Sequence, residues 1–298
     1  MGYRNNPKRD KQLQKSRKLA EASGKPFIDP TVVFGRASGD DIQYYSPEML
    51  AATAAHTVAQ LAHWKKNQPY IGISQVEGVN PRDVQVSVLT VIGRNMPFLY
   101  DSVMGEVTSS YRNLYLAVHP IMVSDASAPG GYRLADPETD APEDNISVIQ
   151  LHIAPATAQA ADILEEKIRF VLSQVQSAYG DWKPMLAKLD EALEELKARG
   201  SSRRKSERNE AVAFLEWLRN DNFTFLGMRD YSYSGTGKNA RVERGEGSGL
   251  GTLTDPNVRV LRLGKDAVTT TPEILAFLDG PDFLIVTKAN VKSIVHRR

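Results

Sequence analysis

The stretch 83–91 constrains the fold more than any other part of the chain. Val84, Val86 and Val88 alternate with Gln85 and Ser87, and then Leu89 and Val91 make the opposite face apolar as well. Strict alternation is the period of a half-buried strand, and apolar residues on both faces belong to a strand covered twice. The segment therefore reads as a central strand. It ends at Gly93-Arg94-Asn95-Met96-Pro97, where glycine, asparagine and proline punctuate the pattern. Pro97 suits the first turn of a helix running to about Arg112. A strand that feeds a helix through a tight loop is the first fixed point of the fold.

The flanking pattern extends this unit. Ser46-Pro47-Glu48 supplies an N-cap, a proline at the first helical position and an acid at the positive helix end, predicting a helix to about Lys66. Residues 114–124 form a second strand, Pro129-Gly130-Gly131 a turn, and residues 145–153 a third strand. The apolar parity of that third strand switches between Val148 and Ile149, which a bulge or burial on both faces explains equally well. After Pro155-Ala156-Thr157, Leu164, Ile168, Leu172 and Val175 recur at helical spacing. The β-α-β-(β)-β-α order argues an α+β sandwich, with helices over one face of a mainly antiparallel sheet.

Beyond it, Trp182, Met185, Leu189, Leu193 and Leu196 form a further apolar stripe, and the basic stretch 199–208 marks a domain boundary. A helix through Ala211, Phe214, Leu215 and Leu218 then hands over to a strand at 223–232, and 283–289 is a later apolar strand. This half reads as a small mixed domain with one open sheet, similar to a PAS domain. Residues 1–40 are basic and interrupted by Gly24, Pro26 and Pro30, so they are expected to be a flexible tail.

Composition narrows the function classes. Lys and Arg total 37 against 36 Asp and Glu, so no global field recruits nucleic acid or an anionic membrane. The absence of cysteine removes disulfides, thiolate chemistry and cysteine-ligated metals, and fits a cytoplasmic location. No apolar run is long enough to span a bilayer. His56, His63, His119, His152 and His296 lack the spacing of a metal site, and no catalytic residue is assigned. Gly245, Gly247, Gly249 and Gly251 match neither the dinucleotide fingerprint nor a P-loop and read as a flexible hairpin or surface loop. The acidic run from Asp136 to Asp144 reads as an exposed loop rather than an oriented acid and base. The informative segment is Asn95-Met96-Pro97-Phe98-Leu99. A strand-to-helix loop presents backbone N–H groups at the positive helix end, where a carboxylate can dock. Asn95, Met96, Phe98 and Leu99 are the candidate ligand contacts.

Three blocks resemble the large NAD-specific glutamate dehydrogenases. Asn95-Met96-Pro97-Phe98-Leu99-Tyr100-Asp101-Ser102-Val103 is similar to that family's MPFLVDSV signature. Residues 217–227, WLRNDNFTFLG, resemble its DDNFTFLGYR segment, and Thr287-Lys288-Ala289-Asn290 with Ser293 and Val295-His296-Arg297 resembles its TKAN stretch. The resemblance runs in order from about Asp41 to the last residue. It implies a parent enzyme that deaminates L-glutamate to 2-oxoglutarate and ammonium with NAD, its catalytic domain lying downstream in the same polypeptide. The third block is cut at Arg298, so the chain is expected to be a truncated, non-catalytic piece that holds no cofactor itself.

The family's amino-terminal region contains ACT-like and PAS-like modules. The resemblance therefore implies a basic tail at 1–40, a helix at 41–69, an ACT-like ferredoxin-type domain at 70–180, a helical connector at 181–205 and a PAS-like domain at 206–298. The expected role is regulation and assembly: an amino-acid effector, a homo-oligomer, and no nucleic acid or membrane partner. A purely structural oligomerisation module, pairing through the leucine stripe of 182–198 or through strand edges, is the alternative. The pattern departs from ACT-like modules in two places. Pro97 or Phe98 stands where their loop carries a glycine, and no fourth strand follows the second helix.

Overall fold

A computed structural model describes residues 6–66, 68–198, 205–235, 241–255, 276, 278, 280, 284–288 and 292–296. The chain divides into two compact units, residues 1–173 and 174–298. The division falls inside a helix and not in the basic stretch 199–208.

The first unit runs α1 (Pro7–Ala22), α2 (Pro30–Phe34), α3 (Gly39–Ile42), α4 (Pro47–Leu61), β1 (Tyr70–Gln75), β2 (Ser87–Arg94), α5 (Leu99–Ser110), β3 (Leu114–Val118), β4 (Ile121–Ser124), β5 (Tyr132–Leu134), β6 (Ile146–Ile153) and α6 (Ala158–Gly180), counted here through Ser173. Its strands pair antiparallel in the order β1-β2-β6-β4-β5, and β3 pairs β6 beyond the end of β4. The predicted strand 114–124 is thus broken at His119-Pro120. The ladder crosses the break through Val148 N–H, which donates to the Pro120 carbonyl at 3.1 Å.

β2 and β6 pair without interruption from Ser87↔Ile153 to Arg94↔Ile146, and every residue of the two strands except Arg94 is buried. The parity switch at Val148 therefore reflects burial on both faces, and the register irregularity lies in β3 instead, between Leu114 and Leu116. On one face Val88, Ile92, Leu116, Met122 and Val148 join Leu13, Phe34, Tyr45, Leu50 and Leu61 of the amino-terminal segment in one core. The opposite parity leaves Leu89, Val91, Ile149, Leu151 and Ile153 to the second face. The buried stripes Leu99, Val103 and Val107 of α5 and Leu164, Ile168 and Leu172 of α6 match it. Each such side chain contributes roughly 1.5–3 kcal/mol by leaving water.

Three expectations change here. Helices cover both faces of the sheet, not one, because the amino-terminal segment supplies a second layer. The stretch read as a flexible tail contains α1, capped by the Asn6 side chain, which accepts from Arg9 N–H at 3.1 Å. Leu13, Ser16 and Ala20 of α1 are buried, since small or apolar residues at these spacings share one helix face among the charges. Finally, the place beside β2 that a fourth strand would take is filled from the amino-terminal side: β1 pairs β2 from Tyr70↔Ile92 to Gln75↔Ser87. The cap of α4 follows the sequence reading, with Ser46 Oγ accepting from Met49 N–H.

The second unit contains α7 (Trp182–Ala198), α8 (Lys205–Trp217) and a wide helical turn at Leu218–Asn222. The leucine stripe considered for self-association is already covered. Leu189, Leu193 and Leu196 pack with Ala211, Leu215 and Leu218 in a core of this unit. The strand expected at 223–232 is divided: β7 (Gly227–Met228) pairs β10 (Leu250–Gly251), while β8 (Tyr231–Ser234) pairs β9 (Arg241–Arg244). β11 (Leu284–Lys288) and β12 (Lys292–His296) pair antiparallel, so the described residues of this unit hold three two-stranded ladders and not one open sheet. The glycine run is also not a loose loop throughout. A Cβ on Gly251, at φ +59°, would lie 2.3 Å from the Leu226 carbonyl oxygen, so the close approach itself requires glycine. No helix of the described residues is long and apolar enough to cross a membrane.

The packing of α1 can be measured directly. Leu13→Ala should lower the unfolding free energy by about 2–5 kcal/mol in urea titrations, as a core truncation does. A change within experimental error would mean that α1 is a detached tail.

Candidate functional site

The loop from β2 into α5 is fixed at both ends. Asn95 N–H donates to the Asn145 carbonyl at 2.9 Å, tying the loop to the start of β6, and Ser102 N–H donates to the Phe98 carbonyl at 3.0 Å, opening α5. Of the four expected contacts, Leu99 lies in the core and the Asn95 amide is already engaged. Met96 is half-buried, and Phe98 presents its ring to solvent, 54% exposed. Phe98 also adopts φ 64°, ψ −2° without a side-chain cap. A left-handed conformation costs a β-carbon-bearing residue about 1–2 kcal/mol, which glycine avoids. Phe98, one of the two positions at which a glycine was expected, thus holds an aromatic ring on a left-handed backbone.

Beside this loop, at the end of β2, opens a cleft of about 540 Å³. Its lining includes Arg94, Trp64, Lys66, Val123 and Ser124 of β4, Arg133 of β5, and Asp140, Glu143 and Asn145 from the segment that leads into β6. Charge on the walls is mostly paired. Arg133 donates to both Asp140 oxygens, at 2.6 and 2.7 Å, and meets Asp125 at 3.2 Å. The Arg133 guanidinium, and then the Asp136 N–H, hold the Asp140 carboxyl well below its ordinary range, at about 2. Lys66 meets Asp144 at 3.3 Å on the exposed rim. Arg94 and Glu143 have no ion-pair partner among the described residues. Trp64 Nε1 and Asn145 Oδ1 are buried with no hydrogen-bond partner there either. The acidic run is therefore a tethered wall and not a pair of carboxylates poised for acid and base work.

Two histidines flank the sheet as neutral groups. His119 stacks on Tyr100, with ring centroids 5.0 Å apart and planes 3° apart, and its Nε2 lies 2.7 Å from Ser147 Oγ. Ser147 is fully buried, so this pair is structural and cannot act as a nucleophile on a substrate. Burial pushes the His119 pKa down to about 4, against a smaller raising effect of Asp101 and with a lowering one from Arg36. On the face covered by α4, His152 Nδ1 meets the Tyr45 hydroxyl at 2.9 Å, and Gln150 Nε2 donates to Thr57 Oγ1 at 3.0 Å. Burial, with a smaller contribution from His56, pushes the His152 pKa down to about 3.

The sequence reading found the loop and missed the cleft. Arg94 carried the one usable signal, a charge closing a strand whose other residues are buried. Trp64, Glu143 and Asn145 come from segments far apart in the chain, and no spacing rule joins them.

The sequence model of the glutamate dehydrogenase ACT1 domain matches residues 31–168. The NAD-specific glutamate dehydrogenase of Halomonas elongata is 32% identical over 204 residues, covering 63% of this chain and 12% of the relative. That of Pseudomonas aeruginosa is 31% identical over 220 residues, covering 71% of this chain and 13% of the relative. The chain thus spans only a small part of the length of the curated relatives it matches.

Two measurements bear on this geometry. A histidine folded as the neutral form contributes stability above its ordinary pKa of 6.5, and that stability falls as pH drops through 6.5 toward the folded values of about 4 and 3. The slope reaches about 1.4 kcal/mol per pH unit for each group. His119→Gln should flatten the decline in urea midpoint on acidification, and an unchanged slope would remove His119 from this account. Phe98→Gly should raise stability by up to about 1 kcal/mol, since it releases backbone strain and gives up little buried area. A marked loss would show the ring to be part of the core.

Proposed function

The chain belongs to the NAD-specific glutamate dehydrogenase family through its ACT1 domain, and on that premise we propose that it is a non-catalytic, amino-terminal regulatory and assembly segment of such an enzyme. The parent would deaminate L-glutamate to 2-oxoglutarate and ammonium with NAD in the cytoplasm, its catalytic domain lying elsewhere in the same polypeptide. The observation that carries this reading is the ACT1 match over the unit built on β2 and β6.

Regulation requires a ligand or neighbour that binds one enzyme state better than another, because only differential affinity shifts an equilibrium. Phe98 supports a contact role: backbone strain held beneath an exposed aromatic ring is costly unless the ring meets something. Met96 beside it extends that apolar contact, while Asn95 and Leu99 hold the loop in place. Homo-oligomeric assembly is supported by Ile163 and Phe170 of α6, both at least half exposed and two helical turns apart on one face. Residues 206–298 are read as a PAS-like partner module in the same segment.

Thermal unfolding in the presence of glutamate, aspartate, arginine and branched-chain amino acids tests the reading. At least one should raise the melting temperature, as any ligand selective for the native state does. Indifference to all of them would leave a scaffold role alone, and glutamate-dependent NADH formation by this chain would overturn the non-catalytic assignment.

A further inference from the structure

Helix α6 buries Leu164, Ile168 and Leu172 and turns a second pair of large side chains outward. Ile163 is 50% exposed and Phe170 58%, and their spacing of seven residues sets them two turns apart along one line. The other exposed large hydrophobic side chains of the first unit, Leu19, Tyr44, Val84 and Phe98, fall on separate segments, so among the described residues of this unit α6 alone carries two. A single exposed side chain is ordinary surface, whereas a pair in line at heptad spacing is the seam that another helix fills.

The charges beside this seam are complementary to themselves. At 3.6 residues per turn, Glu166 lies on one side of the line from Ile163 to Phe170 and Lys167 on the other, and both are exposed. Lys167 reaches Glu106 of α5 at 3.4 Å, while Glu166 has no ion-pair partner among the described residues. Two copies that face each other across the seam can be related by a twofold axis in two ways. With the axis parallel to α6 the helices run parallel and each flank meets the opposite flank, so Glu166 of one copy meets Lys167 of the other, twice. With the axis perpendicular to the helices they run antiparallel and like flanks meet, so Glu166 faces Glu166 and Lys167 faces Lys167. Opposite charges across a seam favour the first arrangement, and like charges penalise the second.

We infer that α6 pairs with α6 of a second copy of this chain, parallel about a twofold axis, with Ile163 against Ile163, Phe170 against Phe170 and a Glu166–Lys167 pair on each flank. The inference rests on the assembly reading above and deepens it by naming the contact, its direction and its charge pairing. It uses neither the loop 95–99 nor the cleft, so the surface is independent of any small-molecule site.

The chain has no cysteine, so Ile163→Cys and Phe170→Cys each introduce a single thiol. Under mild oxidation each variant by itself should form a disulfide-linked dimer, because a parallel twofold seam brings each position against its own copy, within the short Cα separation a disulfide needs. Leu19→Cys, on exposed α1, serves as the control and should cross-link far less. Cross-linking only in a mixture of the Ile163→Cys and Phe170→Cys chains would overturn the parallel direction. Sedimentation equilibrium over a wide concentration range supplies the second measurement. Phe170→Asp should weaken dimerisation at least about tenfold. Glu166→Lys and Lys167→Glu should each weaken it, and the chain carrying both changes should return to within about threefold of the wild type, since the swap restores opposite charges across the seam. Failure of the double variant to recover would overturn the charge pairing. All four side chains are exposed, so the variants should keep melting temperatures near that of the wild type. A dimer indifferent to Phe170→Asp would overturn this seam and leave the assembly reading standing. A chain that stays monomeric and does not cross-link would overturn both, leaving the face to a different protein.

Discussion

The antiparallel ladder between β2 and β6 is the constraint on which the first unit depends. Eight consecutive residue pairs bring two strands together in the middle of the sheet, and both faces of both strands are covered. A strand pair of this kind cannot slip by one residue without carrying Leu89 and Ile149 into the layer that holds Val88 and Val148. The ladder therefore sets where β2 ends, and its end sets the site: Arg94 is the first residue to leave the buried pair, and Asn95 is tied by its amide to Asn145 at the same edge.

Covering both faces explains features that look unrelated along the chain. The amino-terminal helices are needed as a layer, so a basic segment folds with Leu13, Ser16 and Ala20 turned inward. The layer that α4 places over the sheet is partly polar. Gln150 Nε2 donates to Thr57 Oγ1 and reaches Thr90 Oγ1, and the Tyr45 hydroxyl just before α4 meets His152 Nδ1, while Gln150 Oε1 and His152 Nε2 have no partner among the described residues. Such pairs add little net stability, but losing one would leave further buried groups unmet. The edge of the sheet beside β2 is completed by β1, a strand that comes before the β-α-β-β-α unit in sequence and substitutes in space for one expected after it.

The loop and the cleft lie side by side at one end of this sheet. At the loop, a left-handed backbone at Phe98 turns an aromatic ring outward. In the cleft, a balanced set of charges leaves one guanidinium and one carboxylate unsatisfied by the described residues. The first arrangement suits an apolar contact. Both lie against the joint at which Asn95 N–H donates to the Asn145 carbonyl.

The sequence by itself determined the elements whose pattern is local. The doubled hydrophobicity from Val88 to Val91 specified a central strand, Ser46-Pro47-Glu48 specified the start of α4, and the Asn95–Leu99 segment specified a strand-to-helix loop. Each depends on neighbours a few residues away, whose preferences for turn, cap or pleat are intrinsic. Tertiary structure alone decided which layers close on the sheet. It recruited α1 from a segment whose charge density hides three inward residues, and it seated β1 at the open edge. It also covered the leucines of α7 with α8 and gathered Trp64, Arg94, Glu143 and Asn145 around one cleft. Those outcomes depend on long-range burial and on which charges happen to find partners, quantities that no spacing along a single chain encodes.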